Sequence, residues 1–577
     1  MAKKSKIKRD YNHKFYQHSV LIFIVCSKQV KIMTVDSKAG IEACNFNLVN
    51  IADVVSLYYE NKIECSNDKY AIAFGTSGHR GSSRDGTYTR AHIEALTQAI
   101  VILRDKWGHT GPVFLGHDTH ALSECAYKTA LEVLCANRVD TVVACNFEVT
   151  PTPVISRQIV KHNLNSDRLS DGIIITPSHN PPEDGGFKYN PPHGGPASTY
   201  YTRQIETLAN EILKDGNKAV VSLPWNEAVK SEYVHFKNMQ HDYVEDLALT
   251  INMQEIAASN IALAVNPQGG SSLAYWQEIE DFYGIRLNIV NKRIDSSFSF
   301  MPYDYDGKIR MDCMSPYTMK PLTSMTDSFD FAIANDPDAD RHGVVTKKGL
   351  VNSNHYLCCM MHYLLQSRKK WPQGRAVGKT IGASLMMDSI IKSSNFNVYE
   401  TPIGFKWFSQ GLFATDLVFG CEESAGASFL DFNGVPFVTD KDGFTAGLIG
   451  AELMAASSMS IDEYYAYLQS CFGEFFYGRD DVPITKEQKE AFKSLNESSI
   501  SKDTLAGSKI TKVLVKAPGN NEDIGGIKVV CEDGFFSARP SGTENLYKIY
   551  YESSKSSSHA KELHDDAVYI VNKATGL

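Results

Sequence analysis

The chain has 577 residues. At roughly 150 residues per domain this corresponds to about four domains and excludes a single compact module. Hydrophobic residues at 43% and charged residues at 22% describe an ordinary globular protein, neither disordered nor fibrous. The net charge of −9 excludes a surface that is basic throughout. We therefore expect no nucleic-acid partner, and any anionic ligand must meet a local cationic site.

The N-terminal part, which we treat as an extension over residues 1–40, has a basic stretch followed by the apolar run SVLIFIVC (19–26). The run is at the lower length limit of a signal peptide and lacks a small-residue cleavage site, so we expect no export. Alternatively, the native start is Met33. No segment reaches the ~20 apolar residues that span a bilayer, so we expect no membrane partner. The 12 cysteines include no C-x-x-C pair and are typical of a reduced, cytoplasmic protein.

From residue 112 onward, short apolar strands alternate with amphipathic helices, the pattern of βαβ units whose sheets are covered on both faces. Strands are predicted at 112–118, 141–146, 172–176, 261–266, 286–290, 329–335 and 376–380. Helices are predicted at 123–137, 272–283 and 354–366. The sequence therefore predicts three α/β blocks in this part of the chain.

The C-terminal part has a different pattern. Residues 527–539 and 545–553 alternate with the two-residue period of half-exposed antiparallel strands, and 558–574 is predicted to be a helix. This indicates a separate α+β domain. Boundaries in polar stretches divide the chain into domains at 41–225, 226–347, 348–460 and 461–577.

The first polar loop that follows a predicted strand is TPSHNPPEDGGFKYN (176–190). Its prolines would hold the Ser178 hydroxyl outward, but the loop lacks the strand-to-helix nucleophile elbow of serine hydrolases. Because adjacent side chains point apart, we expect His179 to be poorly placed as a base for Ser178. On this loop alone, a proline-rich surface turn is an equal alternative.

The second loop is NDPDADRHG (335–343), with Asp336, Asp338 and Asp340 at alternate positions after a strand. Three carboxylates this close repel one another, so a bound cation is their natural partner, and oxygen ligands suit Mg²⁺. An EF-hand is excluded because Arg341 stands where that loop requires glycine. The alternative is an acidic solvated turn.

The third loop, FGCEESAGASF (419–429), carries Glu422 and Ser424 among small residues. Their spacing predicts that both lie on one side of an extended loop, where they could contact two hydroxyls of a polyol. Taken alone, this signal is weak.

The fourth loop, ARPSGTENLYKIY (538–550), carries a compact cationic group whose backbone N–H groups could converge on a phosphate. The residues of this group are Arg539, Ser541, Gly542 and Thr543. The alternative is a Ser-Gly turn between two strands.

Together, the motifs TPSHNP, DPDADR, GCEES and RPSGTE resemble the α-D-phosphohexomutase superfamily in order and spacing, and FGTSGHRGS (74–82) is similar to its N-terminal motif. The longer matches, including TPIGFKWF (401–408), are most similar to the bacterial glucose-specific branch. The resemblance extends from about residue 40 to the C-terminus. It implies three α/β domains with mixed sheets and a C-terminal α+β domain around a central cleft.

The resemblance implies that Ser178 carries a phosphoryl group, and that Asp336, Asp338 and Asp340 hold Mg²⁺ with a phosphoserine oxygen. The implied activity is an isomerase that interconverts glucose 1-phosphate and glucose 6-phosphate through glucose 1,6-bisphosphate, in carbohydrate metabolism. The expected partner is a small-molecule sugar phosphate, with the protein a monomer or homodimer. Alternatives are a mutase of broader sugar specificity that includes mannose phosphates, a metal-dependent sugar phosphatase, and a silent binding protein.

The resemblance also implies roles for other residues of the motifs. The general acid and base are expected among His179, Lys188 and Lys441, a choice that the sequence leaves open. The residues expected to contact the phosphoryl group and the substrate are Arg80 and Arg341. The residues expected to contact the sugar are Glu422 and Ser424, with Ile403 and Gly404 reading its orientation through backbone contacts. The residues expected to clamp the distal phosphate are Arg539, Ser541, Gly542 and Thr543.

Overall fold

The structure is a computed structural model that describes residues 35–575 apart from 47, 65–66, 76–77, 493–494 and 542–545. The expectations about export and about a start at Met33, and those for Gly542 and Thr543, fall on residues outside this description. Among the described residues, no single helix is long and apolar enough to cross a membrane; one pair of helices, bent by 76° at its break, passes that test by length and composition together.

The first domain is built on a mixed six-stranded sheet in the order β1-β5-β4-β2-β3-β6. Its strands are β1 His79–Ser82, β2 Val113–His117, β3 Thr141–Ala144, β4 Asp171–Ile175, β5 Asp184–Asn190 and β6 Val234–Lys237. Its helices are α1 Ile51–Glu60, α2 Arg90–Trp107, α3 Ala121–Ala136, α4 Thr152–Asn163, α5 Thr199–Lys214 and α6 Trp225–Ala228. Strands β4, β2, β3 and β6 run parallel, so the loops after β2 and β4 meet at one edge of the sheet.

The second domain has a five-stranded sheet in the order β11-β10-β9-β7-β8, with β9, β7 and β8 parallel. Its elements are α7 Met239–Asp246, α8 Met253–Ala258, β7 Leu263–Asn266, α9 Leu273–Tyr283, β8 Leu287–Ile289, α10 Lys320–Thr323, β9 Phe331–Ala334, β10 Gly343–Thr346 and β11 Gly349–Leu350. The acidic loop 335–342 connects β9 to β10 and therefore starts at the carboxyl end of a buried parallel strand.

The third domain has a four-stranded sheet in the order β13-β12-β14-β15. Its elements are α11 Ser353–Ser367, β12 Ala376–Thr380, α12 Met386–Ser393, β13 Asn397–Thr401, α13 Lys406–Phe413, β14 Leu417–Glu422, β15 Gly426–Phe429, α14 Gly443–Ser457 and α15 Ile461–Phe472. The loop 423–425 is a tight connection between the antiparallel strands β14 and β15.

The fourth domain has a six-stranded antiparallel sheet in the order β16-β21-β20-β19-β18-β17, as its alternating sequence predicts. Its elements are β16 Phe476–Pro483, α16 Lys486–Ala491, β17 Thr504–Leu505, β18 Ser508–Lys516, β19 Asp523–Cys531, β20 Gly534–Pro540, β21 Leu546–Ser553 and α17 Ser557–Thr575. The expected fold class, three α/β domains followed by an α+β domain, is confirmed.

The structure moves two of the expected domain boundaries. Strand β6 lies beyond the boundary placed at residue 225, yet it pairs in parallel with β3 and completes the first sheet. Helix α15 lies beyond the boundary at 460, yet His362 of α11 contacts the Tyr464 hydroxyl of α15 at 2.8 Å, which joins it to the third domain. Both segments lie in polar stretches, so only their pairing partners show where they belong.

One continuous apolar core runs through the first three domains, with Ile155, Trp276 and Phe444 among its buried members. The fourth domain has a core of its own. Its contacts with the third domain include polar ones: Lys528 donates to Glu400 at 2.6 Å and to the Ile381 carbonyl at 3.0 Å. The first three domains therefore share buried apolar surface, and polar side chains contribute to the attachment of the fourth.

We expect Glu452→Gln to lower the free energy of unfolding by about 3 kcal/mol, because breaking a buried ion pair leaves an uncompensated charge. The Arg368 guanidinium donates two hydrogen bonds, of 2.7 and 3.0 Å, to the Glu452 carboxylate in the shared core. Both side chains are at most 2% exposed. Urea denaturation followed by circular dichroism measures the change. The control is Glu124→Gln, which breaks an exposed pair with Lys128 and should cost below about 0.5 kcal/mol. Equal costs for the two variants would contradict the prediction.

Candidate active site

Ser178 lies in the loop between β4 and β5 and is only 2% exposed. Its backbone adopts a left-handed φ of +60°, a conformation that costs energy in a residue with a Cβ and is concentrated at functional sites. The Ser178 hydroxyl donates to Asp336 Oδ2 at 2.6 Å, across the boundary between the first and second domains. The loop passes so close to β5 that a Cβ on Gly186 would lie 2.1 Å from the Thr176 carbonyl oxygen. The structure therefore places the Ser178 hydroxyl in direct contact with the acidic loop of the second domain.

The side chain of His179 lies nearer to Ser178 than adjacent side chains that point apart would, but beyond ordinary hydrogen-bond distance, so its role as a base stays a prediction. Its Nδ1 lies 3.4 Å from Ser178 Oγ, a long contact that the left-handed turn at Ser178 allows between neighbouring side chains. Burial, reinforced by the charges of Arg341 and Arg80, holds the pKa of His179 well below its ordinary value. His179 is therefore neutral beside the serine hydroxyl.

The structure brings Asp336, Asp338 and Asp340 together in a buried cluster, with one oxygen of each within 4.8 Å of the others. A left-handed φ of +55° at Ala339 turns the chain within this loop. Within the described part of the chain, Asp338 Oδ1 and Asp340 Oδ1 are buried and accept no hydrogen bond. Burial and the two neighbouring carboxylates raise the pKa of Asp336 well above its ordinary value. Buried carboxylate oxygens that accept no hydrogen bond and repel one another fit a divalent cation that prefers oxygen ligands.

Two lysines flank the acidic cluster. Lys188, on β5, donates to Asp338 Oδ2 at 2.6 Å and to Asp340 Oδ2 at 3.0 Å. Lys441 lies 3.2 Å from Asp340 Oδ2 and 3.6 Å from Glu422 Oε1, so it connects the acidic loop to the loop after β14. Burial opposes both charges, but the carboxylates outweigh it and raise the pKa of each lysine. Both therefore enter the site as ammonium groups.

Two arginines lie at the same loops. Arg80 donates to the Asn180 side chain at 3.0 Å, two residues after Ser178. The Arg341 backbone N–H donates to Asp336 Oδ1 at 3.1 Å, and its guanidinium Nε is buried without a hydrogen-bond partner among the described residues. Burial opposes the charge of Arg341, but Asp312 and Asp336 outweigh it and raise its pKa further. The guanidinium is therefore a buried cation with an unused donor.

Glu422 and Ser424 lie at the tight connection between β14 and β15. The Ser424 hydroxyl donates to Glu422 Oε1 at 2.7 Å, so the two side chains meet on one side of the loop. The next residue, Ala425, has a left-handed φ of +63° that closes the turn. The N-terminus of α14 packs against the acidic loop, because a Cβ on Gly443 would lie 2.2 Å from the Arg341 carbonyl oxygen. The His342 N–H also donates to the Ala425 carbonyl at 3.2 Å, so the loop after β14 lies beside the acidic loop.

The remaining candidates belong to the third and fourth domains. Ile403 packs against a small apolar cluster that includes Ala517 of the fourth domain, and Gly404 has a positive φ of +125°. Arg539 is the next-to-last residue of β20, and its Nε is buried without a hydrogen-bond partner among the residues that the structure describes. The Ser541 N–H donates to the Leu546 carbonyl at 2.8 Å. The roles expected for these four residues stay predictions.

Sequence reasoning missed two residues of the cluster. The Thr152 hydroxyl donates to Asp338 Oδ2 at 2.6 Å from the start of α4. Asp440 is buried, accepts from Asn190 at 2.9 Å, and burial raises its pKa to about 6. Asp440 stands next to Lys441 in the motif TDKDG (439–443), which was the only sequence signal for it. Thr152 had none, since its partner is 186 residues away.

The first three domains meet at one buried polar cluster, and its serine, three aspartates and two lysines form a site suited to phosphoryl transfer. Models of the phosphoglucomutase/phosphomannomutase family match all four domains: alpha/beta/alpha domain I at residues 71–215, domain II at 241–349, domain III at 352–471 and the C-terminal domain at 489–569. The chain therefore belongs to the phosphoglucomutase/phosphomannomutase family.

Individual relatives agree with this assignment. A phosphoglucomutase from Komagataeibacter xylinus is 47% identical over 522 residues, which cover 90% of this chain and 94% of that protein. A phosphomannomutase from Mycoplasma pneumoniae is 24% identical over 91% of this chain and 96% of its own length. Parafusin, a phosphoglucomutase from Paramecium, has the same fold in its open form, with a TM-score of 0.69 at 19% identity over 88% of this chain and 95% of that one.

Proposed function

We propose that this chain is a phosphoglucomutase that interconverts glucose 1-phosphate and glucose 6-phosphate through a phosphoserine at Ser178. The observation that carries the proposal is the contact of 2.6 Å between the Ser178 hydroxyl and Asp336, inside a buried carboxylate cluster flanked by two ammonium groups. The choice of glucose is supported by the 47% identity to a phosphoglucomutase over nearly the whole chain.

The reaction consists of two phosphoryl transfers. In the first, the P–O bond to Ser178 Oγ breaks, a bond forms from phosphorus to the free hydroxyl oxygen of the sugar monophosphate, and the proton of that hydroxyl passes within the site to the released Ser178 Oγ. The product is glucose 1,6-bisphosphate, which reorients in the site. In the second, its other phosphoryl group is transferred to Ser178 Oγ, and the proton of the Ser178 hydroxyl passes within the site to the released sugar oxygen. Such transfers depend mainly on in-line positioning and charge neutralisation.

The side chains around Ser178 have the charges that these steps need. Lys188 and Lys441 are protonated and their raised pKa makes them weak acids, so they act as hydrogen-bond donors that stabilise negative charge on the transferring group. His179 is neutral, so of the three candidates it is the one that can accept a proton, and its lowered pKa makes it a weak base. Glu422 and Ser424 would hold the sugar hydroxyls, and Arg539 would hold the distal phosphate with its buried, unpaired Nε. Binding of the remote phosphate orients the reacting end.

We propose that Asp336, Asp338 and Asp340 hold Mg²⁺ together with an oxygen of the phosphorylated Ser178. The two buried carboxylate oxygens that accept no hydrogen bond, Asp338 Oδ1 and Asp340 Oδ1, support this assignment. When bound, the cation supplies charge neutralisation for the phosphoryl group and its leaving oxygen. Asp336 also accepts a hydrogen bond from the Ser178 hydroxyl, which places the serine at the edge of the proposed cation site.

A coupled assay of glucose 1-phosphate conversion, with Mg²⁺ and a trace of glucose 1,6-bisphosphate, tests the proposal. We expect conversion of glucose 1-phosphate to exceed that of mannose 1-phosphate by at least about tenfold in kcat/KM, a difference of about 1.4 kcal/mol between the two transition states. Equal rates would favour the mutase of broader specificity. Release of inorganic phosphate without isomerisation would favour the sugar phosphatase and contradict the proposal.

A further inference from the structure

Asp118 is a buried carboxylate directly beneath the loop of Ser178, outside the four motif loops. It follows β2 and is 1% exposed. Strands β2 and β4 pair in parallel up to His117 and Ile175, so the register places Asp118 beside Thr176. This carboxylate therefore lies at the root of the Ser178 loop without touching the substrate-side groups described above.

Each carboxylate oxygen of Asp118 has two polar contacts. Oδ1 accepts from the Ser123 hydroxyl at 2.6 Å and from the His120 N–H at 2.9 Å. Oδ2 accepts from the Thr176 hydroxyl at 2.6 Å and contacts His120 Nδ1 at 2.9 Å. A buried carboxylate with four such contacts has a fixed position, because moving it would leave several polar groups unpaired.

Two hydrogen-bonded paths connect Asp118 to the backbone on either side of the Ser178 side chain, one through Thr176 and one through His120. On one side, the Thr176 hydroxyl donates a hydrogen bond to Asp118 and accepts one from the Ser178 N–H at 2.8 Å. On the other side, His120 Nε2 lies 3.0 Å from the Asn180 carbonyl oxygen. Both His120 ring nitrogens face oxygen acceptors, so both carry protons and the ring is a rigid link between Asp118 and Asn180.

The loop needs such support because Ser178 has a left-handed backbone. If Thr176 lost its hydroxyl, the Ser178 N–H would lose its acceptor. The backbone at Ser178 could then relax from the left-handed region to a negative φ. The Ser178 Oγ would then leave the position 2.6 Å from Asp336. A displacement of this kind costs phosphoryl transfer far more than it costs folding, since transfer requires in-line geometry.

We propose that Asp118 is a positioning residue that holds Ser178 in line for phosphoryl transfer through the Thr176 hydroxyl and the His120 ring. The inference rests on the proposed phosphoserine function of Ser178. It assigns no contact between Asp118 and the substrate, so its loss should lower the rate of transfer and leave substrate affinity nearly unchanged.

The main test compares Thr176→Val with Thr176→Ser. Valine keeps the shape of threonine but neither accepts from the Ser178 N–H nor donates to Asp118, whereas serine keeps the hydroxyl. We expect Thr176→Val to lower kcat by about 10- to 100-fold with KM within about twofold of the parent, and Thr176→Ser to restore kcat to within about threefold. Equal kcat in the valine and parent enzymes, or failure of serine to restore it, would overturn the inference.

Asp118→Asn tests the root of the network, with Asp171→Asn as its matched control. Asp171 is equally buried in the same sheet, where it binds Arg104 at 2.9 Å and the Tyr189 hydroxyl at 2.6 Å, but it begins β4 and so lies at the opposite end of that strand. Both variants should lower the melting temperature. Only Asp118→Asn should lower kcat in the folded enzyme by at least about tenfold; an equal kcat for the two variants would overturn the proposal.

Phosphorylation of Ser178 separates this inference from the function on which it rests. The parent and the Thr176 variants are incubated with glucose 1,6-bisphosphate, and mass spectrometry measures the rate at which Ser178 gains a phosphoryl group. A parent enzyme that is never phosphorylated would refute the phosphoserine function and this inference with it. A parent that is phosphorylated at the same rate as Thr176→Val would refute the positioning role alone.

Discussion

Ser178→Ala is expected to lower mutase turnover by on the order of 10³-fold or more, because it removes the oxygen that carries the phosphoryl group between the two transfers. No other hydroxyl among the described residues donates to Asp336. The side chain loses one oxygen atom, so the fold should survive, and the left-handed φ of +60° is no more costly for alanine than for serine. The coupled glucose 1-phosphate assay measures turnover, and circular dichroism measures the fold.

The control is Ser537→Ala in the sheet of the fourth domain. Ser537 is fully buried, like Ser178, but its hydroxyl has no hydrogen-bond partner within the described residues. This variant should keep the activity and fold of the parent. A tenth of the parent activity in Ser178→Ala would rule out the phosphoserine mechanism, whatever the control shows.

Asp338→Asn is expected to lower the rate by on the order of 10²-fold or more and to raise the Mg²⁺ concentration needed for half-maximal activity at least about tenfold. Its unpaired Oδ1 is one of the two buried oxygens that fit a cation, while Oδ2 accepts from Lys188 and Thr152. The amide has the same shape, but it carries no charge, and its nitrogen cannot bind a metal ion. A Mg²⁺ titration of the initial rate measures both effects.

The control is Asp246→Asn, which removes the charge from a buried aspartate that pairs with Arg157 at 2.9 Å and Lys161 at 2.8 Å. It should lower stability and leave the Mg²⁺ titration unchanged. An Asp338→Asn enzyme with the metal dependence of the parent would show that Asp338 is not a ligand.

Much of the fold follows from local patterns that sequence alone displays. The β-branched run at 172–176 became β4, and the alternating segments at 527–539 and 545–553 became β19, β20 and β21. These patterns are local because a strand buries one face or both, and the order of apolar and polar side chains along the strand shows which faces are buried. The domain boundaries cannot be predicted from local patterns in the same way, because they depend on which distant segments pair. Strand β6 completes the first sheet by pairing with β3, about 90 residues earlier in the chain.

The sequence by itself determined the four domains, the loops that carry Ser178 and the three aspartates, and the family, because strand periodicity and short motifs are written in neighbouring residues. Only the tertiary structure decided which groups touch. It placed the Ser178 hydroxyl on Asp336, 158 residues away, and Lys188 between Asp338 and Asp340. It also turned His179 toward the serine and set Asp118 beneath the loop. Contacts and protonation states depend on burial and on charges from distant segments, which no local pattern records.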